Sequence, residues 1–239
     1  MDKMSPQVYA RTCGLLYLYI IAMGIFAELF VRSGLIVSKD AGATASNIIS
    51  NDLLFRLGFS GELLHIAFDV VVAVLLYALL KPIDRNIALL AAFMRFACDI
   101  ILAVSSLAHF AALRLYAQPE YLNVFGPDEL NAIALLALKM HGDGYAISLV
   151  FFGFACLSLG YLVFRSGFLP KTIGVLMGIA GLCYLITSFS QFLSPTLAAA
   201  IFPALFVPMF VAELAFALWL TIKGVNVASW REKAALPGS

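Results

Sequence analysis

Residues 52–81 read DLLFRLGFSGELLHIAFDVVVAVLLYALLK, an apolar run that is long enough to cross a lipid bilayer as a helix. The middle of this run nevertheless carries the ionisable residues Glu62, His65 and Asp69. Their spacing of three and then four residues places them along one stripe of a helix. Ionisable groups are costly inside a membrane unless they face partners or water, so we expect this stripe to point into a bundle of helices.

The composition of the whole chain supports the same class of protein. Of 239 residues, 63% are hydrophobic and 12% are charged, whereas soluble domains are about half apolar and a quarter charged. These proportions predict a polytopic membrane protein whose surroundings are membrane lipids. The net charge of +1, without any arginine-rich arm, gives no reason to expect a nucleic-acid partner.

The order of apolar and polar segments predicts an all-α fold, a polytopic bundle of six transmembrane helices plus one interfacial helix. The expected spans are residues 13–31, 52–80, 87–113, 145–164, 173–192 and 195–222. Residues 127–140 are apolar but too short to span, and Gly142 and Gly144 follow them, so we expect a separate helix lying on the membrane surface.

The polar segments complete the expected organisation. Residues 33–51 are rich in Ala, Ser and Asn and are expected to form a loop or short lid. Residues 1–225 are predicted to be a single transmembrane domain. Residues 226–239 are predicted to be a polar and poorly ordered C-terminal tail.

Basic residues predict the orientation, because lysine and arginine in short loops favour the cytoplasmic side. If the spans alternate, one side of the membrane receives Lys3, Arg11, Lys81, Arg85, Arg165, Lys171, Lys223, Arg231 and Lys233. The sequence therefore predicts a multi-pass protein of the cytoplasmic (plasma) membrane with both termini in the cytoplasm.

Three segments resemble a known family. They read RTCGLLYLY at 11–19, HGDGYAISLVFFG at 141–153 and LGYLVFRSGFLPKTIGVLMGIAGLCYL at 159–185. They are similar to the uncharacterised bacterial integral-membrane family known as domain of unknown function 4386, over residues 10–225. The resemblance implies a helical bundle in a bacterial plasma membrane and no particular activity.

A second polar stripe accompanies the first, with Arg95, Asp99, Ser106 and His109 on the third predicted span. Arg95 and Asp99 have the spacing of an i, i+4 ion pair. Counting 1.5 Å per residue along the spans places Asp69 and Arg95 at similar depth, so we expect Arg95 to be held by Asp99, Asp69 or both. We therefore expect an outward-facing polar pocket between the first four spans. The residues expected to bind a ligand there are Glu28, Glu62, His65, Asp69, Arg95, Asp99, His109 and His141.

These residue types suit an ion, a proton or a small polar or lipid ligand, in transport or in sensing. His65 among carboxylates can change its charge near neutral pH. The alternative to ligand binding is that the polar groups only hold the helices together as a structural or interaction protein.

Two chemical alternatives are weaker. His65, His109 and His141 are scattered without the close spacing of a zinc motif, so no metal ligands are assigned and the cofactor stays unknown. Gly58-Phe59-Ser60-Gly61 resembles the G-x-S-G motif of rhomboid intramembrane proteases. On that hypothesis Ser60 is a nucleophile and His141 its general base, which leaves enzymatic activity an open question.

Overall fold

The computed structural model describes residues 5–235, and it is all-α over that range. The helices are α1 (Pro6–Leu35), α2 (Ala41–Ser50), α3 (Asp52–Leu80), α4 (Arg85–Tyr116), α5 (Pro127–Ser166), α6 (Lys171–Leu193), α7 (Pro195–Ile222) and α8 (Val227–Ala234). A short 3-10 turn, Glu120–Leu122, precedes α5. The predicted fold class is confirmed.

Six of these helices, α1 and α3 to α7, are long and apolar enough to cross a membrane among the residues described. A helix satisfies its own backbone hydrogen bonds, which is the requirement that a bilayer places on a spanning segment. α3 has 29 residues and is therefore about 43 Å long, against a hydrocarbon core of about 30 Å. These helices confirm the expected number of spans and indicate a multi-pass membrane protein.

The separate interfacial helix is not present, because residues 127–140 form the beginning of α5. That helix begins at Pro127, where the Glu129 carboxylate accepts a hydrogen bond from the Gly126 N–H, and it continues unbroken to Ser166. We expected glycine to end a helix here. A Cβ on Gly144 would instead overlap the Ser105 side chain, so this glycine permits close approach of α4 and α5.

The prediction of a loop at residues 33–51 was also wrong, because most of this segment is helical. Its first residues complete α1, and Asp40 then caps α2 by accepting a hydrogen bond from the Ala43 N–H at 2.8 Å. The Thr44 hydroxyl oxygen accepts a hydrogen bond from the Val37 backbone nitrogen at 2.9 Å. This bond holds the connection between α1 and α2 against α2. Capping side chains and the burial of one face of α2 thus order this segment.

The expected poorly ordered tail begins with a docked helix. Asn226 caps α8 by accepting a hydrogen bond from the Ser229 N–H, and the indole N–H of Trp230 donates to the carbonyl of Leu79 at 2.8 Å. These two bonds fix residues 227–234, although their composition is polar. Residues 236–239 of the predicted tail, and Lys3 of the charge pattern, lie outside the described residues.

The helices divide into two compact units. The larger unit contains the described residues up to Ile21, Ala67–Asp99, and the described residues from Ala146 onward. Its core is built around fully buried side chains that include Tyr17, Leu79, Leu162, Met177 and Phe216.

The smaller unit contains Ala22–Ile66 and Ile100–Tyr145. Its core includes Val31, Ile48, Phe55 and Ala112. Gly58 allows α1 and α3 to approach, since a Cβ there would lie 2.7 Å from Cγ2 of Val31. Gly58 is therefore a close contact between these two helices.

Candidate functional site

The smaller unit brings together three of the predicted binding residues from three different helices. α3 supplies Glu62, α4 supplies His109 and α5 supplies His141. One oxygen or nitrogen atom of each side chain lies within 4.8 Å of those of the other two. All three side chains are buried, with Glu62 the most accessible at 9%. We name Glu62, Ser106, His109 and His141 the histidine cluster.

The hydrogen bonds of the histidine cluster define which groups face one another. Nε2 of His141 lies 3.1 Å from Oε2 of Glu62, while Nδ1 lies 3.2 Å from the backbone carbonyl oxygen of Ser105. The Ser106 hydroxyl donates to Oε1 of Glu62. Because a carbonyl can only accept, Nδ1 of His141 carries the hydrogen. The other nitrogen, Nε2, therefore faces the carboxylate.

His109 is the unusual member of this cluster, because neither of its ring nitrogens has a hydrogen-bond partner among residues 5–235. The residue is 5% exposed. Its ring lies 4.5 Å from the Phe55 ring and 5.1 Å from the His141 ring, measured between centroids. Buried polar groups are nearly always paired, so this imidazole is placed for an additional partner.

The two remaining candidates of the smaller unit, Glu28 and His65, do not belong to the three-residue group. Glu28 lies in a π-helical turn of α1, Ala27–Arg32, and pairs with Arg32 at 2.8 Å. The Arg32 guanidinium also stacks over the Tyr145 ring at 4.7 Å. His65 is half-buried on α3 and has interactions of its own.

The larger unit contains a second buried polar group, which we name the arginine cluster: Asp69, Arg95 and Asp99. Nε of Arg95 donates to Oδ1 and Oδ2 of Asp69 at 2.9 and 2.8 Å, and a second nitrogen of the guanidinium donates to Oδ1. The two side chains are only 3% and 4% exposed. This pairing of α3 with α4 was predicted.

Of the two expected partners, Asp69 and not Asp99 forms the ion pair with Arg95 among the described residues. The guanidinium lies 4.7 Å from the Tyr17 ring and 5.0 Å from the Phe152 ring, and this aromatic packing holds it toward α3. Oδ2 of Asp99 is buried without a hydrogen-bond partner in residues 5–235. These aromatic neighbours could not be predicted from the sequence, since aromatic residues occur throughout the spans.

The larger unit also has an apolar groove, lined by side chains such as Ala73, Ala88, Ala92 and Leu159, in which Arg95 is the single charged lining residue. A second depression, near Leu185–Leu197, is lined by apolar and serine side chains. Neither is lined by the histidine cluster. The outward-facing polar pocket that we expected therefore stays a proposal.

The geometry around Ser60 does not favour the hydrolase alternative. Ser60 is exposed on α3, two residues before Glu62, and residues two apart on a helix do not face the same side. His141 meets Glu62 and the Ser105 carbonyl instead. Ser60 and His141 thus lack the contact that a nucleophile and its base require.

Comparison with known proteins places this arrangement in a family. Residues 12–224 match the model of the domain of unknown function DUF4386. The chain belongs to the DUF4386 family. An uncharacterised protein of Archaeoglobus fulgidus is 31% identical over 164 residues, which cover 69% of this chain and 82% of that relative. No solved structure matches. Membership of DUF4386 brings no assigned activity, so function has to be argued from the two clusters.

Proposed function

We propose that this DUF4386 protein binds a small cation between its membrane-spanning helices, at the histidine cluster of the smaller unit. One observation carries the proposal. Nε2 of His141 and Oε2 of Glu62 face each other at 3.1 Å, while Nδ1 of His141 is committed to the Ser105 carbonyl. Two electron-rich atoms at this separation repel unless a positive charge lies between them.

The charges near Glu62 support the same conclusion. The ion pairs of the described residues give Glu62 no lysine or arginine partner within 4 Å, because Arg32 pairs with Glu28. A buried carboxylate without a counterion is costly in an apolar environment. A bound metal ion, alkali ion or proton supplies a positive charge in direct contact with Glu62, in addition to the more distant charge of Arg32. Ionisable residues at such positions are typical of ion pathways and sensors, so we assign the protein to transport or sensing.

The position of the histidine cluster along the helices supports access from the outer side. Glu62 lies ten residues from Asp52 and His109 seven residues from Tyr116, which is about 15 and 10 Å along the helix axis. With both termini in the cytoplasm of a bacterial cell, these helix ends lie outside. The proposal therefore includes an outward-facing entrance.

Cation binding predicts a rise in thermal stability that depends on Glu62. We expect at least one cation from a panel of K⁺, Na⁺, Mg²⁺, Ca²⁺, Zn²⁺ and H⁺ to raise the melting temperature of the purified wild type. Glu62→Gln should lose that response. Asp52→Asn removes an exposed carboxylate from the same helix and should keep the response.

Identical responses of the wild type and Glu62→Gln to every member of the panel would contradict cation binding. In that case the cluster would only hold helices together. Because the panel includes protons, a response to acid alone still supports the proposed function.

The orientation predicts which engineered cysteines react from outside. Cysteines at Lys39 and Glu120 should label in intact cells with a membrane-impermeant maleimide, and a cysteine at Arg85 should label only after permeabilisation. All three positions are exposed, and the native cysteines are buried and should give little background. The reverse pattern would place the termini outside and exclude an outward entrance.

A further inference from the structure

We infer that the cation bound by the histidine cluster is a divalent transition metal of the zinc type, with Glu62, His109 and His141 as its three protein ligands. This inference rests on the proposed function and names its ligand. It also differs from the expectation drawn from the sequence, which assigned no metal ligands because the histidines are far apart in the chain.

Two of the three ligand atoms already have the spacing of a coordination sphere, and the third lies close to them. Two ligands bound to zinc at about 2.0–2.1 Å in tetrahedral geometry are roughly 3.3 Å apart. Nε2 of His141 and Oε2 of Glu62 are 3.1 Å apart, and the atom offered by His109 completes a group in which all distances are within 4.8 Å. On zinc binding, the atom offered by His109 has to come to about 3.3 Å from the other two.

His109 gives an independent indication of a ligand. Its two ring nitrogens are buried without partners in the described part of the chain, yet the residue lies beside a carboxylate and a second imidazole. A proton shared between Glu62 and His141 satisfies those two residues but leaves His109 unpaired. A metal ion satisfies all three.

The hydrogen-bond partners of the proposed ligands are typical of metal sites. A ligating histidine usually donates its other N–H to a carbonyl or carboxylate, and a ligating carboxylate usually accepts a further hydrogen bond. His141 has the Ser105 carbonyl behind it, and Glu62 has the Ser106 hydroxyl. Both partners come from α4, the helix that also carries His109. α4 therefore carries one of the proposed ligands and holds the other two through hydrogen bonds.

The donor atoms select the class of metal. Two imidazole nitrogens and one carboxylate oxygen suit zinc and other late first-row ions. Calcium takes six to eight oxygen ligands and magnesium demands octahedral oxygen coordination, so neither fits this set. Three protein ligands leave one position of a tetrahedral zinc ion for water or another small ligand.

The test uses full-length protein with its affinity tag removed, stripped of metal by a chelator and reconstituted in detergent. We expect Zn²⁺ alone to bind with a stoichiometry of about one per chain and to raise the melting temperature, while Mg²⁺ and Ca²⁺ at the same concentration do not. Removal of zinc by the chelator should reverse the shift.

Variants locate the bound ion. Ser106→Ala should weaken zinc binding by about 10–100-fold, the usual effect of losing a partner behind a ligand. Glu62→Gln, His109→Gln and His141→Gln should each weaken it by more than Ser106→Ala. His65→Gln is the matched control, because it removes the third histidine of the chain, which lies outside the three-residue group, and it should bind zinc as the wild type does.

Two results would overturn the inference: a wild type that binds no zinc, or zinc binding that survives loss of His109 and His141. The wild-type stoichiometry remains informative even if a variant fails to fold. If the protein does not bind zinc but is stabilised by acid, and this stabilisation depends on Glu62, the proposed function is supported and the zinc site is excluded. If no cation stabilises the protein, both the proposed function and the zinc site are excluded.

Discussion

Asp69→Asn is expected to lower the free energy of unfolding by about 3–5 kcal/mol, because it leaves the buried Arg95 guanidinium without its carboxylate. Arg95 and Asp69 are 3% and 4% exposed and are joined through several hydrogen bonds, so water cannot replace the lost partner. Chemical unfolding of the purified variant in detergent measures the loss.

Two controls separate loss of the pair from loss of a charge. Asp52→Asn breaks the ion pair with Arg56, whose side chains are 53% and 52% exposed, and should cost at most about 1 kcal/mol. The double variant Asp69→Leu with Arg95→Met removes both charges and should recover most of the stability, since apolar replacement of a buried pair is often neutral. An Asp69→Asn protein as stable as the wild type would contradict the buried pair.

Gly174→Ala should destabilise the larger unit, by about 1–3 kcal/mol, through a clash with backbone atoms. A Cβ at Gly174 would lie 2.6 Å from the backbone nitrogen of Phe164 and 2.8 Å from the carbonyl oxygen of Gly160. These atoms belong to α5, and backbone cannot rotate away as a side chain can. The close approach of α5 and α6 depends on this glycine.

Gly178 on the same helix is a matched control, because a Cβ there meets nothing within 4 Å. Gly178→Ala should leave stability unchanged or raise it by up to about 1 kcal/mol, the gain in helix propensity. Both substitutions gain the same propensity, so the difference between their unfolding free energies isolates the clash. Equal effects of the two variants would mean that α5 and α6 are not packed this closely.

The spans could be predicted from sequence because their signal is local. An apolar run of twenty residues or more in a bilayer has to be helical, whichever neighbours it acquires. The errors came where local composition is ambiguous. Gly142 and Gly144 were interpreted as the end of a helix, although Gly144 is a contact between α4 and α5. The polar segments that form α2 and α8 were predicted to be a loop and a poorly ordered tail, although capping residues and Trp230 order them.

The candidate site could be predicted only in part. Helical spacing placed Glu62 and His109 on inward stripes, and counting along the spans placed Asp69 and Arg95 at matching depth. Spacing within one helix could not show that His141 and Glu62 meet, since that depends on how separate helices pack. The same limit explains why Asp99 was expected to pair with Arg95 and why the three-residue group was not recognised as a metal site.

X-ray absorption at the zinc edge identifies the ligands of the proposed metal site, because it reports the atoms that surround the bound ion. For zinc-loaded wild type, we expect two imidazole nitrogens at about 2.0–2.1 Å and oxygen ligands at about 2.0–2.2 Å. Glu62, His109 and His141 are the residues that supply the protein ligands in this set. A sulfur ligand at about 2.3 Å, or a shell without imidazole, would contradict it.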